Sequence, residues 1–447
     1  MNAPTNMVVS EQAVWEGERP REPKLLGMCA ENPGLGRTLA LPGSGTSSVY
    51  GIGHAAGANR AWRKGASAME PAMRLSILGL MLCASLSLAA GNPDFSDAAA
   101  ILRQGIEDRA FPGCAVVVGT ADKILWSEAF GCLDYDHRVP VTKETLYDLA
   151  SVTKVAGTTA VFMQLVQQEK VRIPDPVSKH LPEFIELAPT AEDRARRKQV
   201  TVEHLLTHSA GLTAWKAYYR TQTNYSAMLR AILTTPLDCD PGAQTRYSDF
   251  GMLLAGEVAA RAGRKPLAEL ERSLVFAPLG MTNTLRNPPP QLHPRIAPTE
   301  RWPDGTKFVH GIVHDENARA AEGITGHAGL FSTAEDVARL AADLLRAAEG
   351  KSRWLSQSVF AEFTRPHELA PGPGRGLGWG LERGEQQAIT HNGFTGTCIR
   401  VELSRKVYVV LLTNAVHPTR DNNKLGPVRR EAIASILGAV DQSAEQD

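Results

Sequence analysis

The sequence predicts an α+β domain: a mainly antiparallel sheet built from both ends of the domain, flanked by helices, with a helical lobe inserted. Three observations predict it. Short apolar runs bounded by turn residues lie at 113–130 and again at 388–413. Residues 177–285, between them, carry mainly helical spacing. No internal repeat divides the chain, so the two groups of strands belong to one sheet.

In chain order, 95–109 reads as an amphipathic helix. Residues 113–119 and 124–130 read as two strands around an Ala121-Asp122-Lys123 turn. Helical apolar spacing follows Ser151 until Ile173-Pro174-Asp175-Pro176 breaks it. Residues 286–298 form a proline-rich loop around Asn287-Pro288-Pro289-Pro290, and 334–349 is a clear helix. Strands return at 388–393, 397–403 and 407–413, and a last helix covers 428–440. The domain thus spans 95–445. Its α/β lobe takes about 95–165 and 300–445, its helical lobe about 166–299, and a crevice between lobes is where a site belongs.

The first 72 residues differ in character. Glu18-Arg19-Pro20-Arg21-Glu22-Pro23-Lys24 is charged and broken by proline, and 33–57 is rich in glycine, proline and serine. This composition predicts a disordered or non-native extension. Met73-Arg74 then opens an apolar run over 75–88 that ends in the small residues Ala89-Ala90-Gly91. That pattern is a secretory signal peptide at 73–90, which places the true start at Met73 or Met69 and the mature protein in the periplasm or outside the cell. An uncleaved anchor or a buried helix fits the same run, and an uncleaved signal segment would be the protein's only membrane contact.

Charge excludes some classes of partner. The 48 basic and 48 acidic residues cancel, which gives no electrostatic basis for binding nucleic acid or an anionic membrane. Gly51 and Gly53 lack the lysine and third glycine of a phosphate loop, so no nucleotide or other cofactor is expected. Cys114, Cys132, Cys239 and Cys398 show no C-x-x-C spacing and predict no structural zinc. Export permits a disulfide, for which Cys114 and Cys132, flanking the first hairpin, are the pair to consider.

Five groups of residues are candidates to carry chemistry. Ser151-Val152-Thr153-Lys154 is the one S-x-x-K in the chain. On a helix the lysine amine shares a face with the serine hydroxyl, and a serine needs a neighbouring base to act as a nucleophile. At a helix start the Ser151 N–H is also an orphan donor able to meet an oxyanion. Tyr247-Ser248-Asp249 offers a base and a carboxylate at a helix start, or an ordinary N-cap. In His391-Asn392-Gly393-Phe394-Thr395-Gly396 the glycines allow close backbone approach, and Phe394 offers a second oxyanion N–H. A glycine-rich hairpin edge would read the same. His204 and His208, four apart, and the loose group His310, His314, Asp315 and His327 have metal-ligating side chains. The first spacing can bind a metal, but Leu205 after His204 breaks the H-E-x-x-H pattern, the second group is loose, and no metal is expected. No G-x-S-x-G elbow occurs.

The order S-x-x-K, then Tyr-x-Asp, then His-x-Gly resembles the serine β-lactamase and penicillin-binding protein superfamily. It is most similar to the class C β-lactamase-related branch, which includes D-Ala-D-Ala carboxypeptidases and family VIII carboxylesterases. Leu205-Leu206-Thr207-His208-Ser209-Ala210-Gly211-Leu212 resembles the branch's helical-lobe signature. Gly326-His327-Ala328-Gly329-Leu330-Phe331-Ser332-Thr333-Ala334 resembles its other recurrent segment. The similarity runs over about 95–440.

The resemblance implies a β-lactamase/transpeptidase-like fold and an acyl-enzyme on Ser151. It implies proton transfer by Lys154 and Tyr247, and an oxyanion hole from the N–H groups of Ser151 and Phe394. Asp249, His391, Asn392 and Gly393 are the implied substrate contacts, with His391 recognising a carboxylate or orienting Tyr247. Two departures narrow the substrate. Asp249 stands where the family has asparagine, and an ionised carboxylate cannot donate to a substrate amide. His391 replaces the lysine of many β-lactamases. No class A-type glutamate motif is present to activate a deacylating water. The implied substrate is a small-molecule ester or a cell-wall peptide of D-Ala-D-Ala type. Class C-like β-lactam hydrolysis is one alternative, and a non-enzymatic acyl-binding sensor or scaffold is another.

Overall fold

The computed structural model describes residues 92–136, 138–371, 374–382 and 387–445. The expected N-terminal extension at 1–72 and signal peptide at 73–90 lie outside the described residues. No helix among the described residues is long and apolar enough to cross a membrane.

The main sheet joins the two ends of the domain. From the first come β1 (Gly113–Gly119) and β2 (Ile124–Gly131). A second, three-stranded sheet uses β3 (Tyr147–Asp148), β4 (Leu285–Arg286) and β5 (Leu330–Ser332). From the C-terminal part come β6 (Gly380–Glu382), β7 (Ala388–Asn392), β8 (Cys398–Glu402) and β9 (Val407–Thr413). The main sheet has the order β2-β1-β9-β8-β7-β6, and every neighbouring pair is antiparallel.

Residues of β1 and β9 are buried along the whole length of both strands. Alternate side chains point to opposite faces, so both faces must be covered. Val116, Val118, Val409 and Leu411 pack with Leu102 of α1 (Ser96–Glu107) and with Ile436 of α5 (Leu425–Glu445). Ala115, Val117, Val410 and Leu412 face the other way, into the large core that also holds Leu340 and Leu344. Those leucines lie on α4 (Ala334–Ala348), whose Thr333 cap accepts from the Asp336 N–H.

The long strands and flanking helices fall where the sequence places them, within a few residues at the ends. Four strands do not: β3, β4, β5 and β6 have two or three residues each, too few for an alternating pattern to register. Cys114 and Cys132, the pair considered for a disulfide, are not bonded, and both thiols are free. Cys114 lies opposite Phe130 in the register and is buried in the core, while Cys132 lies beyond the end of β2. Burial pushes the Cys114 thiol far up its scale and keeps it protonated.

The segment after β3 is helical, as its spacing predicts, but of mixed pitch. Ala150–Val152 is a 3-10 turn, Lys154–Thr159 a π-turn, and only then does α2 (Ala160–Gln167) begin. Ala150 has φ 44°, a left-handed conformation that an alanine adopts only when its surroundings hold it there.

Candidate active site

Ser151 and Lys154 meet as their spacing requires. Lys154 Nζ donates to Ser151 Oγ at 2.8 Å and to the carbonyl of His327 at 3.1 Å. It also lies 2.8 Å from Asp249 Oδ1. The ammonium thus has two hydrogen-bond acceptors and a carboxylate countercharge. Lys154 is fully buried. Burial pulls its pKa down, but the charge of Asp249 and then that of Tyr247 outweigh it, and the net shift is upward.

Asp249 reaches this position because it opens α3 (Asp249–Gly263). Ser248 caps that helix by accepting from the Gly251 N–H at 3.0 Å. The ordinary capping function is thus Ser248's. Tyr247 lies on the other side of the cap, with its ring centroid 4.9 Å from Lys154 Nζ, and is 36% exposed. The phenol can therefore reach both the lysine and an entering substrate.

His208 and His391 flank Tyr247, with ring centroids at 4.6 and 6.2 Å. Both histidines are buried. His208 has φ 58°, and its Nδ1 accepts from the Ser248 N–H at 3.1 Å. Burial, then the charges of Arg375 and Lys154, hold His208 well below the ordinary histidine range. Burial, then Lys154 and Arg375, lower His391 to about 3. Both rings are neutral at pH 7 and offer hydrogen-bonding dipoles rather than charges.

A pH dependence follows. His391 takes up a proton readily when unfolded and resists it when folded. The unfolded state therefore binds more protons between the ordinary value of 6.5 and about 3, and stability falls as pH drops through that window. The slope is about 1.4 kcal/mol per pH unit for one such group. His391→Gln is expected to shrink the loss of melting temperature between pH 6.5 and 4.5, measured by thermal denaturation. An equal loss in wild type and variant would refute it.

The strand carrying His391 brings the third sequence motif alongside. Gly393 cannot be replaced without moving its neighbours: a Cβ there would lie 2.1 Å from Thr397 Oγ1 and 2.5 Å from the Leu149 carbonyl. The Gly393-to-Gly396 turn thereby packs against the backbone just before Ser151. The Thr395 hydroxyl donates to the Asp148 carbonyl at 2.7 Å, and the Thr397 hydroxyl to that of Leu149 at 2.8 Å. Ser151 lies in the first turn of its helical segment, where backbone N–H groups lack helical partners. Phe394 lies in the facing turn.

The loose histidine group separates. His310 Nε2 lies 2.9 Å from the His293 carbonyl, and His314 Nε2 3.1 Å from Glu300 Oε2. Asp315 and His327 stay together, with Nε2 3.1 Å from Oδ1. With Asp249 they form a set whose ligand atoms lie within 4.8 Å of one another. The Lys154 ammonium already provides the positive charge at that spot, so a cation entering there would meet its repulsion. His204 does not pair with His208 but closes a capping box with Thr201.

Sequence reading misses Arg375. Its side chain is buried, and its guanidinium carbon stands 5.9 Å from the centre of the Tyr247 ring. Burial lowers its pKa only to about 10, so it stays cationic. The one available hint is its setting: an arginine enclosed by glycines and Trp379 in a loop-like stretch.

A serine hydroxyl held by a buried lysine, a tyrosine beside them and two backbone turns facing the hydroxyl define a serine hydrolase. The chain belongs to the beta-lactamase family, whose model matches residues 98–434. A protein of Salmonella agona (strain SL483) named "Putative D-alanyl-D-alanine carboxypeptidase" is 29% identical over 367 residues, covering 72% of this chain and 82% of that protein. The fold is similar to that of "EstCE1, a hydrolase with promiscuous acyltransferase activity", with TM-score 0.60, 23% identity, and 74% and 98% of the two chains covered. It is also similar to an octameric penicillin-binding protein homologue from Pyrococcus abyssi, with TM-score 0.62, 20% identity, and 77% and 78% covered.

Proposed function

We propose that the protein hydrolyses D-Ala-D-Ala-type peptides through an acyl-enzyme on Ser151. The observation that carries this reading is the buried Lys154 ammonium, 2.8 Å from both Ser151 Oγ and Asp249 Oδ1. With the Lys154 cation beside it, Tyr247 relays the proton that leaves Ser151 Oγ as Oγ attacks the carbonyl. The N–H groups of Ser151 and Phe394 receive the oxyanion. Tyr247 then passes its proton to the leaving amine, and water returns the acyl group as a free acid.

Arg375 and the neutral His391 and His208 surround Tyr247 with one cation and two hydrogen-bonding rings. That array suits the free carboxylate at the end of a peptide. A cell-wall peptide substrate requires export, in keeping with the apolar run at 75–88 and with the carboxypeptidase name of the Salmonella agona relative.

A second reading, a small carboxylic ester, is favoured by Asp249. Its carboxylate pairs with Lys154 and offers no amide donor for a peptide bond. Turnover of a D-Ala-D-Ala peptide, p-nitrophenyl butyrate and a chromogenic cephalosporin separates the two. Under the peptidase reading the peptide has the highest kcat/KM. Arg375→Met then raises its KM about tenfold or more, consistent with losing a charge-assisted contact, and raises that of the neutral ester much less. Equal effects on peptide and ester would assign Arg375 no part in carboxylate recognition.

A further inference from the structure

We propose that Asp148 is a positioning residue that holds both halves of the oxyanion hole in register, an inference that rests on the assignment of the Ser151 and Phe394 amides as that hole. Asp148 is almost completely buried, and each carboxylate oxygen accepts a backbone N–H. Oδ1 accepts from Ala150 at 2.8 Å and Oδ2 from His314 at 2.6 Å. The first bond fixes the left-handed Ala150, the residue whose φ of 44° turns Ser151 and its N–H toward the cleft. The second fixes the backbone beneath the His314 ring, which stacks on Phe394 with centroids 5.8 Å apart. His314 is itself anchored through Nε2 to Glu300, and Glu300 pairs with Arg420, which lies over the other ring partner, Phe394.

The backbone of Asp148 completes the bracket. Its carbonyl accepts from the Thr395 hydroxyl, in the turn that carries Phe394. One residue therefore touches the Ser151 turn through Oδ1, the Phe394 turn through its carbonyl, and the packing behind Phe394 through Oδ2. A buried carboxylate is unfavourable without full hydrogen bonding, so its presence beside a site that develops negative charge needs a reason. Alignment supplies one: oxyanion donors act only when fixed at the right place before the reaction, and small displacements are costly in rate. Asparagine cannot replace it, because the amide nitrogen would face an N–H donor.

The test uses the full chain, p-nitrophenyl butyrate turnover and inhibition by phenylboronic acid, whose tetrahedral serine adduct occupies the oxyanion hole. Asp148→Ala is expected to lower kcat about 30-fold, below the ~100- to 1,000-fold of deleting a donor outright, because the donors are displaced and not removed. KM moves less than threefold. The Ki of phenylboronic acid weakens in step with kcat/KM, which a general loss of stability would not produce. Asp148→Asn lies between. If Asp148→Ala does not fold, Thr395→Val, which removes one hydroxyl at nearly constant shape, gives the reading: kcat falls about fivefold, again with the boronate Ki. The inference is overturned by a folded variant with kcat and boronate affinity within twofold of wild type, or by a fall in kcat without a matching change in Ki. Ser151→Ala separates the two levels. Turnover surviving in it overturns the assignment of the site, whereas a dead Ser151→Ala beside wild-type Asp148 variants overturns only the role of Asp148.

Discussion

Ser151→Ala is expected to lose the acyl adduct and to lower kcat by about 10,000-fold or more, the scale seen when a hydrolase loses its nucleophile. The reasoning is geometric. Ser151 Oγ is the acceptor that the buried Lys154 Nζ approaches at 2.8 Å, and no other serine has a lysine three residues on. The fold should survive, because the hydroxyl is only partly buried and the remaining methyl fits the same turn. Intact mass spectrometry after a penicillin or p-nitrophenyl butyrate checks both parts. Wild type should gain one acyl group and the variant none, with matching melting temperatures. Turnover persisting in the variant would refute the mechanism.

Lys154→Met is expected to have the next largest effect, on both activity and stability. Methionine fills the volume but leaves Asp249, itself buried, without its countercharge. Breaking a buried pair from one side costs about 3–5 kcal/mol, whereas replacing both partners with apolar groups is often neutral. Lys154→Met/Asp249→Leu should therefore regain most of the melting temperature while remaining inactive. The pH dependence has a definite sign. The folded Lys154 pKa lies above the ordinary value of 10.5. Its contribution is fully present below that value and is lost as pH rises through the higher folded pKa. The stability gap between wild type and Lys154→Met should hold from pH 6 to 9 and close only in strong alkali. A double variant no more stable than Lys154→Met would show that the ion pair is not what holds this part of the site.

The two expectations differ in how they could be read from the chain. Ser151 and Lys154 are three apart, and a helical segment of either pitch keeps them on neighbouring positions, so their contact is local. The Lys154–Asp249 pair joins two helix starts far apart in sequence. The Tyr-x-Asp motif suggests it only through its order relative to S-x-x-K. Asp148 and His314 are 166 residues apart, and nothing in Tyr147-Asp148-Leu149 marks the aspartate as a bracket. Arg375 sits among glycines with no periodic pattern around it, so neither its burial nor its approach to Tyr247 could be foreseen.

The sequence by itself determined the long strands, the main helices, the antiparallel α+β class and the serine–lysine pair. Each of these is written in local apolar spacing or in residues within one helical turn. Only the tertiary structure decided that the two ends of the domain meet as β1 and β9, and that the short β3 and β5 pair ahead of the nucleophile. It also decided that His208, Arg375 and Asp148 gather around Ser151-Val152-Thr153-Lys154. Those contacts depend on close packing between segments distant in sequence, where burial and hydrogen bonding, not local propensity, select the neighbour.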